Sequence, residues 1–360
     1  RRFQTDAELS DYYNHQLAGG KWNHMMDQTH IGYTHWQEPP SNIMPSVVEI
    51  PLPEAAKLGV AVEGSTNVWP DSPDEAVLPT FDKFNRPSRF IDVFNRGRAP
   101  FAFSAAADAP WILLSETNGI IEKDKRLWVQ INWQAAPHGA TNSWVKITGG
   151  DKTVLVKVNV FNPAEPARDA VEGFVEADGY VSMEAAHFTK NIATPAARWE
   201  EIPGLGNTLS AMTVFPMTTP SVTPPGLPPQ SETTAGSSPC LEYRMFLFDA
   251  GKVRVETILA PSLNFVAGRG LRFALSFDDQ PPRLVTALPA NYNAGDGNRD
   301  WEKAVSNNAR RITTDFELPA TGEHTLKVWM VDPGVDLEKI IVDCGGVKPG
   351  YLGPPESFYR

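Results

Sequence analysis

Hydrophobic and polar residues alternate in several short stretches of the chain, which is the pattern of β-strands with one buried face. In Leu127–Trp133 every second residue is apolar and would face a core, which leaves Trp128, Gln130 and Asn132 on the outside. The segment from residue 154 to residue 160 shows the same alternation, with a valine at every second position. Both segments predict strands of an antiparallel sheet that has one solvated face.

The region between residues 80 and 162 contains six segments of this kind: Arg89–Phe94, Phe101–Ala105, Trp111–Ser115, Leu127–Trp133, Trp144–Ile147 and Val154–Phe161. The pairs Asn118-Gly119 and Gly149-Gly150 are typical of hairpin turns. Many short strands within roughly 80 residues favour an immunoglobulin-like β-sandwich. The outward-facing Trp128 is either a platform for a sugar ring or a side chain covered by a neighbouring domain.

A second β domain is predicted for residues 173–346. Its eight predicted strands are Tyr180–Glu184, Ser210–Phe215, Leu241–Phe248, Lys252–Leu259, Leu271–Phe277, Ile312–Glu317, His324–Val331 and Lys339–Asp343. Eight strands suggest a jelly-roll β-sandwich. Residues 163–172 are interpreted as a linker and residues 347–360 as a tail. Pro216–Pro239 is rich in Pro, Thr, Ser and Gly, and is predicted to be an inserted, solvated loop.

One helix is predicted at the start of the chain. Thr5–Glu8 matches a capping box, and Leu9, Tyr13 and Leu17 follow at a spacing of four until Gly19-Gly20 end the helix. No similar helix follows, so we expect its packing partners upstream of Arg1 in a longer protein. Residues 1–46 are therefore interpreted as the end of a helical domain with an aromatic loop, and residues 47–79, broken by Pro and Gly, as a connector.

Composition narrows the possible functions. The 360 residues, 41% hydrophobic and 21% charged, are enough for two or three globular domains, and 32 Pro with 27 Gly indicate many turns. The net charge of -11 argues against binding to nucleic acid, and no apolar run approaches membrane-spanning length. Cys240 and Cys344 could form one disulfide bond or remain reduced.

The most unusual stretch is Gly19–Pro45, which contains two Trp, one Tyr, three His and three Met in 27 residues. Aromatic rings stack on the apolar faces of pyranoses while polar neighbours bond the hydroxyls, but such side chains also fill the boundary between packed domains. Both interpretations stay open. The candidates for substrate binding or for a domain boundary are Trp22, His24, Asp27, His30, Tyr33, His35 and Trp36.

The run WNHMMDQTHIGYTHWQEPP resembles the segment of glycoside hydrolase family 115, the xylan α-1,2-glucuronidases, that closes the helical domain after the catalytic barrel. GYVSMEAAHFT, WEEIPGLGNTLSAMTVFP, LNFVAGRGLRFALSFDDQPP and DWEKAVSNNAR follow in the order of that family's carboxyl-terminal region. The resemblance spans about residues 19–346. It implies a parent enzyme that removes (4-O-methyl)glucuronic acid from glucuronoxylan with inversion, by means of two carboxylates in a barrel upstream of Arg1.

This resemblance implies that the chain contains no catalytic residue and supports the barrel or a dimer. The implied partners are glucuronoxylan or its oligosaccharides, the N-terminal catalytic part of the same protein and a second copy of the chain. A secreted or periplasmic location follows from the polymeric substrate. The alternative interpretation is a stand-alone, non-catalytic carbohydrate-binding protein.

No metal and no cofactor is predicted. VSMEAAHF and HTLKVWMVDPGVDLEKIIVD resemble the first and last strands of carbohydrate-binding modules of families 6 and 35, in which the first strand commonly supplies two Glu to a calcium ion. Here only Glu184 matches, because the second position is Ala186. Two further sets have donor side chains without the spacing of a metal motif: His24, Asp27, His30 and His35, and Asp296, Asn298 and Asp300. The second set is interpreted as a polar loop that caps a short helix over residues 301–309.

Overall fold

The computed structural model describes residues 2–25, 48–266, 268–295 and 297–360, with side chains from residue 4 onward. The chain divides into two compact units, Arg1–Glu54 and Ala55–Arg360. In the first unit residues 2–20 are helical, whereas residues 21–25 and 48–54 contain no helix or strand, and the second unit is mainly β.

The first unit begins with helix α1 (Arg2–Asp11), continues as a π-helical turn over Tyr12–Gln16 and ends in a 3-10 turn over Leu17–Gly20. The predicted capping box at Thr5 is wrong, because α1 starts before this residue. Nothing in the preceding residues breaks a helix, so Thr5 lies within it. The predicted end is confirmed, since Gly19 and Gly20 both have positive φ, a conformation open to glycine.

The second unit begins with the strands of a first sandwich: β1 (Leu58–Val62), β2 (Ala76–Val77), β3 (Phe81–Asp82), β4 (Arg89–Asn95), β5 (Phe101–Ala107), β6 (Ile112–Leu114), β7 (Asn118–Ile121), β8 (Asp124–Ile131), β9 (Gly139–Gly149) and β10 (Lys152–Asn162). One sheet has the order β1-β4-β8-β6. The other has the order β2-β10-β9-β5-β7, with β3 also paired to β10. Apolar side chains from both sheets form one core between them.

The predicted alternation in the first sandwich is confirmed. Leu127, Val129 and Ile131 are buried in the core while Trp128 is exposed. The turn predicted near Gly149-Gly150 is also present, displaced by one residue: Gly150 and Asp151, both with positive φ, connect β9 to β10.

Two expectations for this region are wrong. Asn118 and Gly119 do not form a turn but begin β7, where Gly119 is nearly extended and pairs with Phe103. The interpretation of residues 47–79 as a connector is also corrected, because β1 pairs with β4 along its whole length. Four of the five residues of β1 are buried, and the nearby prolines lie outside the strand.

A second sandwich follows, with the strands β11 (Phe174–Val175), β12 (Tyr180–Glu184), β13 (Lys190–Ile192), β14 (Arg198–Pro203), β15 (Ser210–Phe215), β16 (Val222–Thr223), β17 (Thr234–Ala235), β18 (Cys240–Leu247), β19 (Gly251–Leu259), β20 (Leu271–Phe277), β21 (Arg283–Leu288), β22 (Arg310–Leu318), β23 (Gly322–Met330) and β24 (Leu337–Asp343), and helix α2 (Arg299–Ser306) between β21 and β22. One sheet has the order β11-β18-β23-β20-β21, and the facing sheet has the order β14-β15-β24-β19-β22. In addition β13 pairs with β18, β12 pairs with β24, and β16 pairs with β17. The two large sheets enclose a single core.

The predicted fold class is confirmed: the chain is mainly β, with one short N-terminal helix and two β-sandwiches. Every strand predicted for the second sandwich is present, with ends displaced by two residues at most. The short helix is also present, with the side chain of Asn298 as its N-cap acceptor. The strands of this sandwich that were missed are all six residues long or shorter: β11, β13, β14, β16, β17 and β21.

Two segments that look like loops in the sequence cover the outer faces of the second sandwich. Most residues of Pro216–Pro239 are exposed, but the segment is anchored, because Leu227 packs with Ala274 on the outer face of β20. The segment over residues 347–360 is not a free tail. Ser357 Oγ accepts a hydrogen bond from the amide of Ser182 in β12. These segments bury outward-facing positions that would otherwise be solvated.

Candidate functional site

The aromatic stretch is described only up to Met25. Trp22 and His24 lie together in the turn that follows the 3-10 segment, where Lys21 Nζ is 4.7 Å from the centroid of the Trp22 ring. The other candidates lie outside the described residues: Asp27, His30, Tyr33, His35 and Trp36. Their role in substrate binding or at a domain boundary stays a prediction.

The two sandwiches meet at a small apolar cluster, called here the seam cluster: Phe84, Val171, Val175, Phe248 and Phe358. The first sandwich contributes Phe84, which is fully buried. Its ring centroid lies 5.9 Å from that of Phe248 and 6.4 Å from that of Phe358, which belongs to the C-terminal segment. With Val171 and Val175, four parts of the chain that are distant in sequence therefore share one packing site.

Polar contacts fix the same joint. Arg168 Nε donates to the carbonyl oxygen of Phe84 at 2.9 Å, and the amide of Phe358 donates to Asn85 Oδ1 at 2.8 Å. The carboxylate of Asp82 accepts hydrogen bonds from the amides of Phe84 and Asn85 at 3.0 and 2.7 Å. Burial raises the pKa of Asp82, and these donors oppose the rise. The bonds hold the turn that presents Phe84 to the seam cluster.

A cavity of about 730 Å³ lies beside the seam cluster. Its lining includes Asn142, Asn159, Phe161, Glu176, Phe248 and Asp249. Glu176 Oε2 accepts hydrogen bonds from the amides of Phe248 and Asp249, at 2.6 and 3.0 Å. Burial raises the pKa of Glu176 from 4.5 to about 7, and the Asp249 carboxyl acts in the same direction. This carboxyl group therefore exchanges its proton near neutral pH.

The pair Glu176 and Asp249 does not have the geometry of a glycosidase. They are joined through the backbone, because Glu176 Oε2 accepts a hydrogen bond from the amide of Asp249 at 3.0 Å. Inverting enzymes hold two carboxyl groups about 6.5–9.5 Å apart, because a water molecule and the sugar ring must fit between them. Glu176 is instead bonded directly to the backbone of residues 248 and 249, so it holds the β18–β19 turn.

The position that matches the calcium-binding Glu of carbohydrate-binding modules is used differently here. Glu184 Oε1 lies 3.2 Å from Lys339 Nζ, and Glu184 Oε2 accepts a hydrogen bond from Thr208 Oγ1 at 2.7 Å. Both oxygens of the carboxylate are therefore occupied by protein groups. Within the described ranges, no group of three or more His, Cys, Asp or Glu side chains is placed to hold a metal ion.

Cys240 and Cys344 are free thiols rather than a disulfide bond. Burial raises the pKa of Cys240 to about 12. Burial also raises the pKa of Cys344, to which Glu176 and Asp249 add their charge. Both thiols are therefore protonated near neutral pH and poorly nucleophilic.

Sequence reasoning missed the seam residues. Phe84, Phe248 and Phe358 stand in turns or loops, where no periodic pattern marks a buried position. The one available signal was their size, because a Phe in a polar loop often packs against another part of the chain.

None of the helices that the structure describes is long and apolar enough to cross a membrane. No curated protein sequence matched the chain.

Three solved structures are similar to this chain. A family GH115 4-O-methyl-α-glucuronidase with specificity for decorated arabinogalactans shares 17% identity over 51% of this chain and 19% of its own length, with a TM-score of 0.32. The C-terminal family 6 carbohydrate-binding module of a marine laminarinase from Zobellia galactanivorans shares 11% identity over 46% of this chain and 98% of its own length, with a TM-score of 0.29. A family 35 carbohydrate-binding module from Clostridium thermocellum shares 15% identity over 45% of this chain and 97% of its own length, with a TM-score of 0.28.

The chain spans about a fifth of the length of that glucuronidase. The model of the glycosyl hydrolase family 115 C-terminal domain matches residues 173–356. Since this match covers just over half of the chain, the protein belongs to glycosyl hydrolase family 115.

Proposed function

We propose that this chain is the C-terminal accessory part of a xylan α-1,2-glucuronidase that removes (4-O-methyl)glucuronic acid from glucuronoxylan. In this proposal the parent enzyme inverts configuration, its catalytic barrel lies upstream of Arg1, and the chain supports that barrel or a dimer. The enzyme acts in the periplasm or outside the cell, where its polymeric substrate is found. Family membership and the structural use of the buried acids support the proposal.

The accessory role is supported mainly by one observation: acidic side chains in this chain hold the backbone through hydrogen bonds. Asp82 and Glu176 each accept two backbone amide hydrogen bonds. Asp278, whose side chain is 40% exposed, is used in the same way: it accepts from the amide of Thr325 at 2.8 Å and pairs with His324 at 2.8 Å. These carboxylates hold turns and strand ends. A hydrolytic pair would instead face a cleft from two sides.

A supporting role also fits the joint between the sandwiches. Packing and hydrogen bonds at the seam cluster couple the family domain at residues 173–356 to the sandwich that precedes it. A rigid joint keeps the two sandwiches at one relative orientation. A flexible linker would allow this orientation to vary. The second unit is therefore suited to hold a neighbouring domain or a second copy at a fixed angle.

The accessory role is tested by incubating the purified 360-residue chain with glucuronoxylan. We expect no release of uronic acid above a heat-killed control, because no hydrolytic carboxylate pair is predicted in it. Release that disappears in Asp27→Asn or Glu38→Gln would refute the proposal. Both acids belong to the aromatic stretch, so that outcome would make the stretch catalytic.

The aromatic stretch is proposed to lie at the boundary with the catalytic barrel. In the full enzyme, Trp36→Ala should lower activity on glucuronoxylan at least tenfold, which corresponds to about 1.4 kcal/mol of transition-state stabilisation. Unchanged kinetics would remove Trp36 from the site.

The assembly role is proposed for the second sandwich. Sedimentation of the full enzyme with and without residues 172–360 tests whether a dimer depends on this region. If the dimer persists after the truncation, the second sandwich is not needed for dimerisation. Only the proposed support of the barrel would then remain.

A stand-alone carbohydrate-binding protein is the second candidate, favoured by the exposed ring of Trp128. The reading frame upstream of Arg1 distinguishes the two candidates. A barrel-length coding sequence supports the glucuronidase, and its absence supports the binding protein.

A further inference from the structure

The outer face of the β1-β4-β8-β6 sheet carries an exposed aromatic ring. Trp128 in β8 is 44% exposed, and Leu113 in the neighbouring β6 is 46% exposed. They border a hollow of about 480 Å³. Its lining consists of Ser88, Leu113, Leu114, Ser115, Trp128 and Gln130.

The ring of Trp128 is held in place although it is exposed. It meets Phe90, its cross-strand neighbour, edge to face at a centroid distance of 5.9 Å. The Arg126 guanidinium lies 3.7 Å from the centroid of the Phe90 ring, on the same face of the sheet. Phe90, which contacts Trp128, is therefore held in place as well. The amide of Trp128 donates to Ser115 Oγ at 3.0 Å. A ring fixed in this way loses little conformational freedom when a ligand stacks on it.

The polar groups around the ring are free to bind a ligand. Among the described residues, none bonds to the indole N–H of Trp128, the side-chain amide of Gln130 or the hydroxyl of Ser88. Other tryptophans differ in this respect. Trp199 and Trp329 donate their indole N–H groups to Pro239 and Ser276, at 3.2 and 3.0 Å.

The hollow is uncharged, although the chain has a net charge of -11. The adjacent cation, Arg126, is already bonded to both oxygens of Asp92 at 2.8 Å. Among the described residues at the hollow, an anionic ligand would therefore find no free positive charge. A neutral ligand with an apolar face and hydroxyl groups matches the lining.

The size of the hollow also restricts its occupant. Pockets for small ligands have volumes of about 300–1,000 Å³. A hollow of about 480 Å³ between one indole ring and one leucine is the size of one or two sugar rings.

We propose that this hollow binds a neutral chain of pyranose rings with equatorial hydroxyls, such as the backbone of xylan. The faces of these rings carry only C–H groups, which stack on Trp128, while Gln130, Ser88 and the indole N–H bond the hydroxyls at the ring edge. The inference goes beyond the accessory role, because it gives the chain its own contact with sugar. It rests on the proposed function only for the choice of xylan as the probe.

The test is calorimetric titration of the 360-residue chain with xylohexaose. Trp128→Ala should weaken the association constant at least tenfold, and Gln130→Ala should weaken it about threefold, since it removes one hydrogen bond. Trp144→Ala is the matched control. Trp144 lies in the opposite sheet, and Lys157 Nζ is positioned 5.6 Å from its ring centroid. Thermal unfolding of each variant checks that the fold is retained.

Three results would overturn the inference: no binding by the native chain, equal losses in Trp128→Ala and Trp144→Ala, or full binding by Trp128→Ala. A xylo-oligosaccharide that carries 4-O-methylglucuronic acid should bind no more tightly than xylohexaose. Tighter binding that disappears in Arg126→Met would replace the neutral ligand with an anionic one. Release of uronic acid is measured separately, so failure of the sugar site and failure of the accessory role are distinguishable.

Discussion

Two ion pairs on the outer faces of the two sandwiches look alike in the sequence but lie in different environments. Asp92 stands opposite Arg126 on antiparallel strands, and Glu184 stands opposite Lys339 in the same way. The side chains of the first pair are 30% and 48% exposed, whereas those of the second pair are 9% and 4% exposed. The first pair is in contact with water, and the second is covered.

The covering groups come from distant parts of the chain. Thr208 donates to Glu184, and Glu356 in the C-terminal segment accepts from the amide of Glu184 at 2.9 Å. Removing a partner from a pair in water costs little, but removing one from a buried pair leaves a charge without compensation. An outer face that remains open is available for a ligand, and one that is covered contributes to stability.

The largest expected effect is on the covered pair. Glu184→Gln should lower the free energy of unfolding by about 3–5 kcal/mol, because the buried ammonium of Lys339 loses its counter-charge. Urea unfolding measures the change. The double variant Glu184→Gln, Lys339→Met should recover most of the loss, since it removes the second charge as well. A loss below about 1 kcal/mol in the single variant would mean that water reaches the pair.

The joint between the sandwiches is expected to be nearly as sensitive. Phe84→Ala should cost about 3 kcal/mol, because the removed ring leaves a cavity in the seam cluster. If the seam couples the two sandwiches, this variant should also separate their unfolding transitions in calorimetry. Phe90→Ala, which removes a Phe from the open face, is the control. Equal effects of the two substitutions would contradict the distinction between the covered and open regions.

The carboxyl group of Glu176 should make stability depend on pH. Its pKa in the folded protein is about 7, above its ordinary value of 4.5. Between these values the folded state holds the proton more tightly, so this group's stabilising contribution is present below about pH 4.5 and is lost as the pH rises through 7. Glu176→Gln should reduce the loss of stability between pH 5 and pH 8 by about 1–3 kcal/mol. Urea unfolding at several pH values measures it, and identical profiles would exclude this role.

The smallest expected effect is on the open pair. Asp92→Asn should change the free energy of unfolding by less than about 1 kcal/mol, because water solvates Arg126 once the carboxylate is gone. This substitution is the isosteric counterpart of Glu184→Gln, and both are measured in the same urea series. A loss of about 3 kcal/mol would show that another part of the protein covers this face.

Much of the fold could be predicted because a strand with one buried face shows a local pattern, the alternation of apolar and polar residues. Residues 154–160 place a valine at every second position, and all four valines are buried in β10. In the same way the alternation in β8 placed Trp128 on the outer face. The capping box at Thr5 shows the limit of a short motif, since the helix continues through it.

The candidate sites were less predictable. Trp128 could be placed outside the core from the sequence, but whether its ring was open or covered could not. The seam cluster gave no pattern, because its members come from four separate segments of the chain and meet only when the sandwiches pack.

By itself, the sequence determined the mainly β class, most strands and the side of each strand that faces a core, because these follow from the spacing of residues a few positions apart. Only the tertiary structure decided which outer faces are covered. Ser182 and Pro354 are bonded across 172 residues of chain, and in β20 all seven residues are buried. Such coverage depends on where distant segments pack, and the composition of a segment such as Pro216–Pro239 predicts only that it cannot form a core alone.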